Sequence, residues 1–212
     1  NIYGLKNYIY DYLLAKFPNS EVNVYIKDTS NHLKRKRILI DSINSNTILS
    51  LITLANAESH NFTSESLFKN ASDSWSKNSY KKLYFWLKNK GLPIKDLYIA
   101  DASGLSRNNR VTTNLIASFL YKMQFNNNYE FYASTLSIMG VRGTLANSLV
   151  NNKIKGKFFG KTGTLSNVFS LSGYFHKNNK IYSISIIQNS NLIDKNKIFK
   201  FLNEVYEIND CK

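Results

Sequence analysis

Three β-rich stretches in the last third of the sequence constrain the fold of this chain more than any other feature. They are Phe158–Thr162, Val168–Phe175 and Ile181–Gln188, and each is rich in residues that favour strands. The polar segment His176–Lys180, between the last two, predicts a hairpin turn. Strands joined by such short connections pair side by side in opposite directions, so the sequence predicts an antiparallel sheet.

Helical patterns dominate the rest of the chain. The predicted helices cover residues 2–17, 46–57, 61–69, 80–90, 112–123 and 193–206, and short helix with turn is expected over 131–139. Two further strands are predicted at Val22–Ile26 and Arg37–Ile40. Without an internal repeat or a convincing linker, the pattern predicts one α+β domain over residues 1–212, with an antiparallel sheet packed against helices.

The formal net charge of +14 has two explanations. One is a polyanionic partner, either nucleic acid or an anionic wall or membrane surface. The other is a composition rich in Lys, Asn and Ile throughout, which the densest basic cluster supports: Lys34–Arg37 runs directly into apolar Ile38–Ile40, as a solvated turn before a strand would. The sequence has no RNA-binding aromatic signature and no helix-turn-helix pattern, so no nucleic-acid partner is predicted. Peripheral association with the cell envelope stays open.

The remaining residue types exclude several kinds of chemistry. His32, His60 and His176 are isolated from one another in sequence, which disfavours a His-based triad and a metal-ligand cluster. We therefore predict no metal and no cofactor. The single cysteine, Cys211, has no partner for an internal disulfide. No apolar run approaches the roughly 18 residues of a membrane span.

Lys161–Gly163 is the triplet with the clearest chemical meaning. A lysine at the start of a strand, followed by a hydroxyl and by a residue without a side chain, can clamp a carboxylate or an amide. The ammonium of Lys161 supplies charge, Thr162 supplies a hydroxyl, and Gly163 lets a substrate backbone approach. The backbone N–H of Thr164 is a candidate oxyanion donor. Alone, a surface strand that happens to carry one of many lysines explains the triplet equally well.

Ser106 and Asn108 form a second candidate pair in a loop rich in turn-forming residues. Ser106 is suited to relaying a proton and Asn108 to holding a substrate amide. An ordinary polar loop is the alternative explanation, because Ser, Gly and Asn all favour turns.

Four motifs in order carry a resemblance to a known family. The segment 101–112 (DASGLSRNNRVT) resembles the DGSGLSRxNxVT segment of class C penicillin-binding proteins, which are D-Ala-D-Ala carboxypeptidases and endopeptidases. Gly143–Leu145 resembles their GTL motif, and Lys161–Leu165 and Leu171–Tyr174 resemble their KTGTL and LSGY segments. Asn61, Phe62 and the run Glu65–Leu67 resemble their helical N-x-x-AE-x-L stretch. The sequence departs from the family at three positions, namely Ala102 for Gly, Arg142 for Asp and Ser148 for a basic residue.

The resemblance implies a β-lactamase-like transpeptidase fold and acyl transfer through a serine. It implies that Ser106 and Asn108 form the second catalytic motif, and that Lys161, Thr162 and Gly163 form the third. Peptidoglycan stem peptides would be the substrates and β-lactams the inhibitors, with a periplasmic or envelope location following from that substrate class.

The first catalytic motif of such enzymes, Ser-x-x-Lys, has no convincing counterpart here. Literal matches begin at Ser66, Ser74 and Ser79, and chance alone gives roughly two to three in a chain so rich in Ser and Lys. We therefore expect the C-terminal portion of the fold, with the nucleophilic serine outside this chain. The alternatives are a non-catalytic homologue that binds peptidoglycan and a split enzyme whose other half is a separate chain.

Overall fold

The computed structural model describes residues 2–16, 18–19, 21–23, 46–71, 78–148 and 153–208. Two compact units divide the chain, one over residues 1–44 and the other over 45–212. The first unit contains helix α1, Ile2–Lys16, which ends before Pro18 as predicted. The predicted strand Arg37–Ile40, most of Val22–Ile26, His32 and Cys211 lie outside the described residues. That the whole chain forms one domain stays a prediction.

The second unit contains six α-helices and four strands among its described residues. The helices are α2 (Ile48–Ala57), α3 (Asn61–Asn70), α4 (Asn78–Asn89), α5 (Thr113–Met123), α6 (Tyr129–Ser134) and α7 (Lys195–Glu207), with a short 3-10 helix at Gly143–Leu145. The strands are β1 (Ser137–Ile138), β2 (Phe158–Leu165), β3 (Val168–Lys177) and β4 (Lys180–Asn189). No helix in the described part of the chain is long and apolar enough to cross a membrane.

The sheet has the order β1-β2-β3-β4, and every neighbouring pair is antiparallel. This confirms the predicted α+β class and the antiparallel run. The turn between β3 and β4 is tighter than predicted, because only Asn178 and Asn179 separate the strands, with φ of 49° and 59°. Asn tolerates this left-handed geometry, which two-residue hairpins with the usual twist require.

Helices cover both faces of the sheet. On one face, α7 packs through Ile198, Phe199 and Leu202 against side chains of β2 and β3, including Phe158, Phe169, Leu171 and Phe175. On the other face, α5 and α6 pack around the buried Tyr174. Successive side chains of a strand alternate between faces. Since Phe159 pairs with Tyr174 and Lys161 with Ser172, Lys161 lies on the face that carries α5 and α6.

Side-chain caps fix where four of the described helices begin, among them α7, where Asp194 accepts from the backbone N–H groups of Asn196 and Lys197. Thr47 accepts from the backbone N–H of Ser50 at the start of α2, and Thr112 accepts from that of Leu115 at the start of α5, as its sequence position predicts. At the start of α3, His60 occupies the cap position, and its Nδ1 accepts from the backbone N–H of Thr63. This role accounts for His60 without any catalytic chemistry.

Candidate active site

A cavity of about 860 Å³ opens on the α5/α6 side of β2. Three segments form its walls: strand β2 from Lys161 onward, the connection from α2 into α3, and the loop after Ala100. Strand β1 pairs only with Phe159 and Gly160, so the edge of β2 beyond Gly160 borders the cavity with no strand partner in the described residues. Four of the predicted site residues lie together on this strand, namely Lys161, Thr162, Gly163 and Thr164.

Lys161 is half-buried and points across the cavity. Its Nζ donates a hydrogen bond to Ser59 Oγ at 2.6 Å and to the Thr162 carbonyl oxygen at 2.7 Å. Burial lowers the pKa of the Lys161 ammonium below its ordinary value. A lowered pKa makes the ammonium a better proton donor, which suits Lys161 to proton transfer as well as to anion binding.

Ser59, the partner of Lys161, occupies an unusual backbone conformation. Its φ is +58°, in the left-handed region that residues other than Gly, Asn and Asp rarely adopt. The strained turn lies between the end of α2 and the start of α3, and it carries Ser59 and Asn61 into the cavity wall. Strain of this kind concentrates at functional sites, where surrounding contacts hold it in place.

Of Ser106 and Asn108, by contrast, only Ser106 lines the cavity. The Ser106 Oγ accepts from the backbone N–H of Asn108 at 3.2 Å. Asn108 is exposed and lies outside the cavity lining. Its neighbour Asn109 does line the cavity, but its side chain donates to Asp101 Oδ1 and accepts from the Ala100 N–H. The structure thus brings Ser106, but not Asn108, to the wall of the cavity that holds Lys161, and the catalytic roles of both residues stay predictions.

Asp101 organises this loop. Its carboxylate accepts from the backbone N–H groups of Gly104 at 2.9 Å and Ser106 at 2.7 Å, as well as from Asn109. Burial works to raise the pKa of Asp101, but these hydrogen bonds outweigh it and lower that pKa. Glu65 on α3 accepts from the Ala102 N–H at 2.8 Å, and Arg107 donates to the Ser166 carbonyl at 2.7 Å. The loop is therefore tied to α3 and to the β2–β3 turn.

The literal Ser-x-x-Lys matches lie elsewhere. Ser66 and Lys69 lie on α3 outside the cavity lining, where Lys69 pairs with Glu65. Ser79 is 2% exposed at the start of α4, also outside the lining, and its hydroxyl donates to the Lys69 carbonyl. The match that begins at Ser74 falls outside the described residues. Neither described match is placed to attack a ligand beside Lys161.

Sequence reasoning missed Ser59 and Asn61, which lie in the cavity wall, where Ser59 accepts from Lys161. A signal was present, because the triplet Ser59-His60-Asn61 ends on the Asn that begins the stretch resembling the family helix. Ser-x-Asn triplets are common in this sequence, however, and the contact with Lys161 spans 102 positions. Lys161, the Asn61 amide and hydroxyl groups such as that of Ser59 surround an open strand edge. Together they can bind a peptide and move protons at its carbonyl.

Comparison with known proteins identifies relatives of this arrangement. The model of the D-Ala-D-Ala carboxypeptidase 3 (S13) family matches residues 7–203. A D-alanyl-D-alanine carboxypeptidase from an Actinomadura species is 32% identical over 108 residues, which are 49% of this chain and 20% of that protein. The D-alanyl-D-alanine carboxypeptidase DacB of Haemophilus influenzae is 31% identical over 90 residues, 42% of this chain and 19% of that protein. The chain thus matches about a fifth of the length of these relatives.

Solved structures support the same fold. Penicillin-binding protein 4 of Haemophilus influenzae, in complex with a β-lactam, matches with a TM-score of 0.66 at 23% identity, over 75% of this chain and 41% of that one. A predatory endopeptidase of Bdellovibrio bacteriovorus, in complex with an immunity protein, matches with a TM-score of 0.61 at 16% identity, over 76% and 42% of the two chains. The ordered motifs, this fold and the family match over residues 7–203 show that the chain belongs to the D-Ala-D-Ala carboxypeptidase 3 (S13) family, and they confirm its resemblance to class C penicillin-binding proteins.

Proposed function

We propose that this chain forms one side of the active site of a serine-type D-Ala-D-Ala carboxypeptidase or endopeptidase acting on peptidoglycan peptides. The observation that carries the proposal is the hydrogen bond from Lys161 to Ser59 at the open edge of β2, inside a cavity large enough for a peptide end. The named activities of the curated relatives support the substrate class. β-Lactams are the expected inhibitors, since a solved relative holds one.

Ser59 and Asn61, rather than Ser106 and Asn108, are proposed as the Ser-x-Asn unit. Lys161 and Ser59 pass protons between the attacking serine and the leaving amine, which the lowered pKa of Lys161 favours. Asn61 holds the amide on the acyl side, and Lys161 and Thr164 hold the substrate beside β2. Gly163 leaves the strand edge open, and a backbone N–H of the edge stabilises the oxyanion. Ser106 stays a wall residue of the cavity.

The nucleophilic serine is proposed to lie outside this chain. The described Ser-x-x-Lys matches lie away from the cavity, which supports this assignment. The same observation favours the second candidate, a homologue that binds peptidoglycan peptides without cleaving them. Both candidates place the protein in the periplasm or cell envelope, where the substrate is found.

Release of D-alanine from a peptide ending in D-Ala-D-Ala tests the catalytic proposal. The protein to be assayed is this chain extended by the segment encoded upstream, as wild type and as Ser59→Ala and Ser106→Ala variants. We expect Ser59→Ala to lower kcat/KM by about 100- to 10,000-fold, the usual contribution of a general acid–base group. Ser106→Ala should change it by less than about tenfold, because the Ser106 hydroxyl makes no hydrogen bond to Lys161.

Two outcomes contradict the assignment. If Ser106→Ala lowers kcat/KM more than Ser59→Ala does, Ser106 and Asn108 are the catalytic pair instead. If the extended wild type binds the peptides but neither releases D-alanine nor cleaves a peptide cross-link, the non-catalytic homologue is favoured.

A further inference from the structure

A chain of hydroxyl groups runs from the end of α2 to Thr162 on β2. Ser137 Oγ lies 3.0 Å from the Ala57 carbonyl oxygen, Thr144 Oγ1 lies 3.2 Å from Ser137 Oγ, and Thr162 Oγ1 lies 2.9 Å from Thr144 Oγ1. Ser137 is fully buried, so the hydrogen bonds at its hydroxyl are shielded from water. The four groups come from four different elements and connect the end of α2 with strand β2, which borders the cavity.

The carbonyl group of Ala57 fixes which group is the donor in each of these three hydrogen bonds. A carbonyl oxygen accepts only, so Ser137 donates its single hydroxyl proton to Ala57. Ser137 then has no proton left for Thr144, and Thr144 must donate to Ser137. The proton of Thr144 is thereby used, and the contact between the two threonines requires Thr162 to be the donor.

From this order we infer that Thr144 is a positioning residue that sets the polarity of Thr162. With its proton directed to Thr144, the Thr162 hydroxyl offers the cavity lone pairs and no donor. It therefore accepts from a ligand N–H, and it binds a carboxylate only after it turns away from Thr144. This refines the sequence-based role of Thr162, in which its hydroxyl is part of a clamp for a carboxylate or an amide. The ligand part of the inference rests on the proposed function.

Close packing holds Thr144 in place. Gly143, just before it, has φ of +68°, and a Cβ there would lie 2.6 Å from both the Ala57 carbonyl oxygen and Ser137 Oγ. Leu145, just after it, is fully buried in the core beside α7. The backbone at Thr144 has little freedom to move away from Ser137, so the proton order is built into the fold.

The ligand-free test compares the wild type with Thr144→Val, which keeps the shape but removes the hydroxyl, and with Thr144→Ser, which keeps the hydroxyl. The readout is the χ1 rotamer of Thr162, measured by three-bond NMR couplings to its methyl group. We expect one rotamer in the wild type and in Thr144→Ser, and averaging between rotamers in Thr144→Val. One fixed rotamer in all three proteins overturns the inference.

The ligand test titrates the same proteins with N-acetyl-D-alanyl-D-alanine and with its C-terminal carboxamide. Thr144→Val frees the Thr162 proton for the carboxylate, so the acid-to-amide affinity ratio should rise by about three- to tenfold, the effect of one hydrogen bond. Thr144→Ser should keep the wild-type ratio. An unchanged ratio in Thr144→Val, with both affinities lowered alike, shows a purely structural role and overturns the inference. If no protein binds either peptide, the proposed function fails, and the rotamer measurement alone decides on Thr144.

Discussion

At the scale of single residues, Ser59 shows what sequence alone could and could not provide. Lys161 is predicted from its triplet because the other family motifs accompany that triplet in the same order. Ser59 has no comparable local signature, and its importance comes from a left-handed turn and from a contact with a lysine 102 positions away. Periodicity reports which residues face a core, and it carries no information on which of several Ser-x-Asn triplets folds against that lysine.

The buried ammonium of Lys161 gives the protein a predictable pH dependence. Burial lowers the pKa of Lys161 in the folded protein below the value of 10.5 that applies when it is exposed. The unfolded chain then binds more protons between the two pKa values, so stability rises with pH across that window. Below the folded pKa, the wild type bears the full cost of the buried charge.

Urea unfolding of the wild type and of Lys161→Met, measured across the pH range up to 10.5, checks this prediction. We expect the wild type to gain stability relative to Lys161→Met as the pH rises through the folded pKa. A difference in unfolding free energy that stays constant with pH, or that moves the other way, would show that Lys161 is not desolvated in the folded protein.

At the scale of secondary structure, the strands and most helix ends were predictable because each has a local cause. The β2–β4 stretches are rich in strand-forming residues, and Thr112 and Gly91 mark helix ends. Strand β1 was predicted as helix and turn, which is wrong for Ser137–Ile138. Two residues contain no period, and this strand exists only because β2 and the end of α2 pack against it.

The contact between β2 and β3 leads to a prediction about two glycines. Gly173 pairs with Gly160, and a Cβ on Gly173 would collide with backbone atoms, namely the Phe159 carbonyl oxygen and the Gly160 Cα. A Cβ on Gly163 would approach only the Ser170 hydroxyl closely, at 2.5 Å, and a rotation about χ1 of Ser170 relieves that contact. Gly173→Ala should therefore cost about 2–4 kcal/mol of unfolding free energy, and Gly163→Ala less than about 1 kcal/mol.

Chemical unfolding of these two variants and the wild type provides the measurement. The two variants make the same change on neighbouring strands of one sheet, so Gly163→Ala is the matched control for loss of glycine flexibility. Equal destabilisation of the two variants would show that the β2–β3 register or the close approach at Gly173 is wrong.

At the scale of the whole molecule, the sequence was sufficient to predict the family. It was not sufficient to show whether every catalytic group of the site lies in this chain. Four short motifs in order were enough for the resemblance, and the match over residues 7–203 confirms it. Three walls of a cavity are now placed around Lys161. No Ser-x-x-Lys unit in the described residues lies in the lining of that cavity. We therefore propose that the nucleophilic serine is supplied from outside this chain.

Covalent labelling by a fluorescent penicillin tests whether the nucleophilic serine lies outside this chain. The 212-residue chain alone and the same chain extended by its upstream segment are incubated with the reagent, and the labelled bands are compared after denaturing electrophoresis. We expect no label on the chain alone and label on the extended protein, and we expect that label to be lost when the serine of its upstream Ser-x-x-Lys is replaced by alanine. Covalent label on the 212-residue chain alone would contradict this proposal.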